Sequence, residues 1–149
     1  MTQNGATSVA LQPTPEVVSF INTTQLNDEQ ILRRIESLSV SADAKALLAD
    51  LSRLATRVGQ TMLRVGRKIL DFILSLVRAF PHLTFAALLA VVLTALIGMV
   101  PLVGVALASM LGPLALALGV AVGGVADFQS PDLAARVREF ASAFSELEA

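Results

Sequence analysis

Seven charged side chains between residues 51 and 82 carry the chemistry this chain most plainly offers. Arg53, Arg57, Arg64, Arg67, Lys68 and Arg78 stand against Asp71 alone, a local net charge of +5. Cations at that density bind anions, and beside an apolar segment the anions they favour are the headgroups of an anionic lipid bilayer. These six are therefore the expected headgroup contacts. Nucleic acid is the other polyanion such a patch could meet. The chain has no Trp or Tyr and no basic motif elsewhere, so no nucleic acid is expected. The remaining polar groups suggest no catalysis. Asp28 and Glu29 are neighbouring carboxylates, but they follow a helix-start signature, where acids favour the positive helix end. His82 is the lone histidine and marks the edge of an apolar run. There is no cysteine, hence no disulfide framework or thiol nucleophile. His, Cys or clustered acids that could hold a metal are missing. The expectation is a protein that is not an enzyme and needs no cofactor.

The elements that position the cations read as helices. Residues 1–13 are polar and mixed, and are expected to form a disordered tail. Thr14-Pro15-Glu16 is a capping hydroxyl followed by proline at the first helical position, and opens a short helix to about Asn22. Asn27 caps a second helix, with Gln30 at the reciprocal capping-box position. Ser39 or Ser41 opens a third, expected to run from Ala42 to Phe80, roughly 57 Å at ~1.5 Å per residue. Leu47, Leu51, Leu54, Val58, Met62, Val65, Ile69, Phe72, Leu76 and Phe80 recur along it at helical steps. Arg53, Arg57, Arg64 and Arg67 occupy a separate stripe, the pattern of a basic amphipathic helix that lies on a bilayer or packs on a partner. Gly59 and Gly66 add small residues suited to close helix–helix approach. No strand is expected.

From Ala79 to Ala126 there is no charged residue, a run of 48 positions whose only polar side chains are His82, Thr84, Thr94 and Ser109. One bilayer crossing takes about 20 apolar residues. Leu83–Val100 and Leu102–Val125 are thus expected to form a hairpin that turns at Pro101 and Gly104. Gly112 and Pro113 should kink its second helix or split it into two short ones, because Pro113 cannot donate to the Ser109 carbonyl. Ala115, Gly119 and Gly123 form a ladder of small residues for helix packing. Ser130 and Pro131 open a last helix with an apolar seam of Leu133, Val137, Phe140, Phe144 and Leu147. Basic residues flank the run on both sides, so the positive-inside rule places both termini in the cytoplasm, with the turn either spanning or re-entrant. Over roughly residues 80–126 the layout resembles the hydrophobic hairpin of pore-forming colicin-type domains. It also resembles the monotopic hairpins of lipid-droplet proteins such as oleosins and promethin. It departs from both: only Pro101 and Pro113 fall in the run, so the oleosin proline knot is absent, and colicin pore domains wrap their hairpin in more helices.

With 54% hydrophobic residues and a mean hydropathy of +0.70, the chain is too apolar for an ordinary soluble protein of this length. The expected architecture is all-α: a tail (1–13), cytoplasmic or interfacial amphipathic helices (14–80), a transmembrane or re-entrant hairpin (81–126) and a C-terminal amphipathic helix (127–149). The expected role is a self-associating membrane scaffold or envelope component. The alternatives are a holin- or toxin-like pore former and a small accessory subunit of a larger membrane complex.

Overall fold

The computed structural model describes residues 14–81, 83–118 and 131–145, the side chain of Leu102 excepted. They form seven helices and one two-stranded hairpin in the order α1 (Pro15–Asn22), α2 (Asp28–Ser37), α3 (Ala42–Ser52), β1 (Thr56–Val58), β2 (Thr61–Leu63), α4 (Val65–Ala79), α5 (Phe85–Met99), α6 (Pro101–Leu118) and α7 (Pro131–Ser145). The expected tail 1–13, His82, Gly119, Gly123 and the Ser130 cap lie outside the described residues.

Local signals set several boundaries. The Thr14 hydroxyl accepts from Val17 N at 3.2 Å. Asn27 and Gln30 form a reciprocal capping box, each contact at 2.9 Å. The Ser41 hydroxyl accepts from Ala44 N at 3.1 Å. Each cap satisfies amide groups that the first helical turn leaves without an intrahelical partner.

The expected helix from Ala42 to Phe80 is corrected: it is two helices separated by a β-hairpin. α3 stops at Ser52, and Thr56 to Leu63 fold back as antiparallel strands with Val58 opposite Thr61 and Thr56 opposite Leu63. The reason is local. Thr56, Val58 and Thr61 are β-branched, which favours the pleated backbone over a helix. Gly59 has φ +64, a conformation the two-residue turn requires and other residues resist. Gly59 is therefore a turn residue and not part of a helix-packing stripe. Val58 and Leu63 face inward while Arg57 and Met62 face outward. The Asn22 side chain completes the hairpin, donating to the Met62 carbonyl at 3.3 Å and accepting from Arg64 N at 3.0 Å.

After the hairpin the chain re-enters beside α3. Gly66 sits where α4 begins, and a methyl group there would lie 1.7 Å from the Leu51 carbonyl oxygen. Gly66 N donates to Leu54 O at 2.8 Å. Close approach is thus enforced at Gly66, between α3 and α4 of the same chain. α4 then runs through the middle of the protein, burying Ile69, Leu70, Ile73, Leu74 and Leu76 among α1, α2, α3 and α5.

Within the charge-free run, residues 85–99 and 101–118 are helices. α5 and α6 pack together and are linked by one residue, Val100, whose carbonyl accepts from Gly104 N at 2.7 Å. Pro101 is the first residue of α6, where its missing N–H removes no helical bond. Gly104 lies inside α6 and not in the turn. Its role is close approach, since a methyl group there would lie 3.0 Å from the Ile97 carbonyl oxygen. α6 continues past Pro113 to Leu118, so that proline does not split it. Gly112 and Pro113 are both exposed, which keeps the lost bond out of the core. Among the described residues, no helix is long and apolar enough to cross a membrane. α5 instead packs on α4 and α7, and α6 packs on α3.

Two glycines should respond oppositely to alanine. Gly66→Ala forces overlap with backbone and should destabilise by at least about 1–3 kcal/mol. Gly98, in the last turn of α5, has nothing within 4 Å of an added methyl group. Gly98→Ala should stabilise by up to about 1 kcal/mol, through helix propensity. Urea unfolding of both variants against the parent measures the difference, and equal effects would contradict the packing described.

Candidate functional site: cations and an uncovered apolar face

The six expected headgroup cations divide into two groups. Arg64, Arg67 and Lys68, on the first turn of α4 and just before it, turn toward the chain that joins α1 to α2. Arg64 and Arg67 both pair with Asp28, the Arg67 contact being 3.3 Å. Arg67 also donates to the Asn22 carbonyl at 2.9 Å, and Lys68 to the Thr23 carbonyl at 2.9 Å. The Lys68 ammonium stands 4.3 Å from the centre of the Phe20 ring. Arg53, Arg57 and Arg78 are exposed. Arg53 closes α3 and pairs with Asp50 at 3.2 Å, an exposed contact worth little by itself.

One residue that sequence reasoning passed over fixes this region. Asp71 is 7% exposed, the one buried charged side chain among the described residues. Its two carboxylate oxygens accept from Gln25 N and Leu26 N, each at 3.1 Å. The joining segment is thereby tied to the middle of α4. The Arg64 guanidinium, by its hydrogen bond to Asp28, holds that carboxyl below its ordinary 3.8, with burial opposing and Arg67 assisting. Burial lowers the Lys68 ammonium from 10.5, and the Asp71 charge opposes it.

The cations come together at one place. Arg53, Arg64 and Arg67 line a cavity of about 220 Å³ with Asp28, Ser52 and the partly exposed Leu32. A second, larger cleft of about 620 Å³ lies between α1, α4 and α7. Its floor is aromatic: Phe72 stacks on Phe140 at 4.0 Å, and Phe20 meets both Phe140 and Phe144 edge-on or tilted. Lys68, Asp71, Arg136 and Glu139 stand around it, but the first two are already engaged in the contacts above. Among the described residues, no cluster of His, Cys, Asp or Glu has the geometry to hold a metal ion.

The other notable surface is the outer side of α6. Val105 is 80% and Leu116 85% exposed. Ala108, Ser109, Gly112 and Pro113 are exposed between them, and none of these residues is charged. On the inner side, Val103, Leu107, Leu114 and Ala115 are buried. Ala115, the described member of the small-residue ladder, faces Ala86, Leu89, Ala90 and Leu93 of α5. The contact shown is within the hairpin.

No protein-family model matches this chain, and comparison with curated proteins and with solved structures finds no significant similarity.

Two measurements test the polar contacts. Asp71→Ala leaves two amides without their charged acceptor. It should cost on the order of 2 kcal/mol and speed hydrogen exchange at Gln25 and Leu26. Unchanged exchange there would refute the tie. Asp28, with its folded value depressed, adds stability above about pH 3.8 that is lost as pH falls through the lower folded value. The stability gap between the parent and Asp28→Asn should therefore be present at neutral pH and close in acid. High salt should narrow it as well, because the pair is half exposed.

Proposed function

We propose that the protein acts at membranes without catalysing a reaction, as a helical scaffold that associates with a bilayer and organises it. The observation that carries this reading is the outer face of α6. Val105 and Leu116 stand almost fully exposed on a helix that has no charged residue. Each large aliphatic side chain moved from water into hydrocarbon contributes roughly 1.5–3 kcal/mol. Both side chains forgo that gain in water, and contact with an apolar phase would supply it. In the arrangement described, α6 would meet the bilayer along its length, with its inner face still seated on α3 and α5. The exposed Arg57 and Arg78 supply charge that anionic lipid would attract. Self-association through the same face, or through the ladder that continues to Gly119 and Gly123, belongs to this proposal.

Vesicle flotation tests it. Val105→Glu with Leu116→Glu places two charges at exposed positions, so the fold should survive while binding to phosphatidylcholine vesicles drops at least tenfold. Binding that is absent in the parent, or unchanged in the double variant, would defeat the proposal. Dye-loaded vesicles separate the scaffold from a pore former. The scaffold should change vesicle size without releasing dye, because no polar stripe on α5 or α6 offers a channel lining.

A further inference from the structure

We infer that the cavity bounded by Arg53, Arg64 and Arg67 is a binding site for a single phosphate group. The chemistry begins with charge. Three guanidinium groups line the cavity with one carboxylate, Asp28; with Asp50, which pairs with Arg53 at the surface, counted in, the local charge is net +1. Each guanidinium is a planar fork of five donors matched to tetrahedral oxyanions. Asp28 is shared between Arg64 and Arg67, and Arg53 reaches only to Asp50 at the surface. Arg67 Nε is buried with no hydrogen-bond partner among the described residues. A buried donor left without an acceptor is costly, and an anion that drew the guanidinium toward the cavity would offer it one.

Size narrows the ligand. A cavity of about 220 Å³ is below the ~300–1,000 Å³ usual for a whole organic ligand, so a headgroup-sized fragment fits and an acyl chain does not. No aromatic side chain lines it, so nucleobase stacking is not on offer. The elements that build it are held independently of any ligand. Gly66 brings the end of α3, which carries Arg53, against the start of α4, which carries Arg64 and Arg67. Leu32, 39% exposed, gives the rim an apolar edge. The phosphate can come from a phosphomonoester lipid in a bilayer or from a soluble phosphate compound. The lipid source rests on the membrane reading above, and the soluble one does not.

The test uses the full chain. Inorganic phosphate is titrated while the Nε–H signals of the arginines are followed by NMR, at fixed ionic strength. Saturable shifts at Arg53, Arg64 and Arg67 are expected. Arg53→Gln should weaken the affinity about fivefold or more, since one surface cation contributes about 1 kcal/mol. Arg53 is exposed and paired only with exposed Asp50, so this variant should fold. Arg57→Gln, outside the cavity, should leave the affinity unchanged, and an equal loss there would mean general attraction and overturn the site. Asp28→Asn removes the competing carboxylate and should tighten binding. A loss of affinity in that variant, with its amide spectrum otherwise intact, would also overturn it. Phosphatidylcholine vesicles with and without phosphatidic acid then identify the source. A preference for phosphatidic acid that Arg53→Gln removes assigns the lipid, whereas saturable binding of phosphate with no such preference assigns a soluble compound. No saturable shift, together with identical vesicle binding by the parent and Arg53→Gln, sinks the proposal. Val105→Glu with Leu116→Glu should leave the phosphate titration untouched, so failure of the membrane reading and failure of this site are separately visible.

Discussion

The contact between the Gly66 backbone and the Leu51 carbonyl constrains most of what surrounds it. At that spacing no side chain fits, so α3 and α4 cross as bare backbone. The crossing places α4 inside the protein, where it touches α1, α2, α3 and α5. It also explains why the intervening chain folds as a β-hairpin. A return to the same point within 13 residues, from Arg53 to Val65, cannot be made by a straight helix, which would carry its end ~20 Å away. A two-residue turn with a positive-φ glycine makes it.

Around that crossing, polar and apolar contacts do different jobs. The apolar core, from Val17 to Phe144, supplies the main driving force. It is non-directional and would tolerate small slides of one helix along another. Direction comes from a few polar atoms. Asp71 receives two amides of the joining segment, Arg67 and Lys68 donate to two of its carbonyls, and Asn22 reaches the strand edge. At the opposite side, the Ser41 hydroxyl donates to the Ala117 carbonyl at 3.2 Å and fixes α6 against the start of α3. Cations that a sequence reading assigns to solvent are in this way partly used to specify the fold, while Arg53, Arg57 and Arg78 stay exposed at the surface.

What could be read from the sequence was what is local. The caps at Thr14, Asn27 and Ser41 follow from three- or four-residue patterns, and the helices they open are present. The two charge-free helices and the break between them near Pro101 follow from composition and one proline. The β-hairpin was hidden because Val58, Met62 and Val65 happen to satisfy the helical spacing, although in the hairpin Val58 faces inward and Met62 outward. The competing signal was the β-branched alternation Thr56-Arg57-Val58 and Thr61-Met62-Leu63 around Gly59. The Asp71 tie was out of reach for a different reason. Its partners lie 45 and 46 positions away, and nothing near Asp71 announces them. The convergence of Arg53 with Arg64 and Arg67 was likewise invisible, since a continuous helix would have held them in a line.

The one-residue link at Val100 has a kinetic consequence. Closing a loop costs entropy that grows with its length, so α5 and α6 can meet almost as soon as both are helical. Their contacts have small sequence separation, the kind that forms on the fast side of folding. The tie at Asp71 must instead wait for chain segments some 45 residues apart to find each other. The newly made chain therefore has a way to shield half of its least polar surface early, by folding that surface on itself. What is left over is the single side of one helix, and its exposure begins before the remainder of the molecule has assembled.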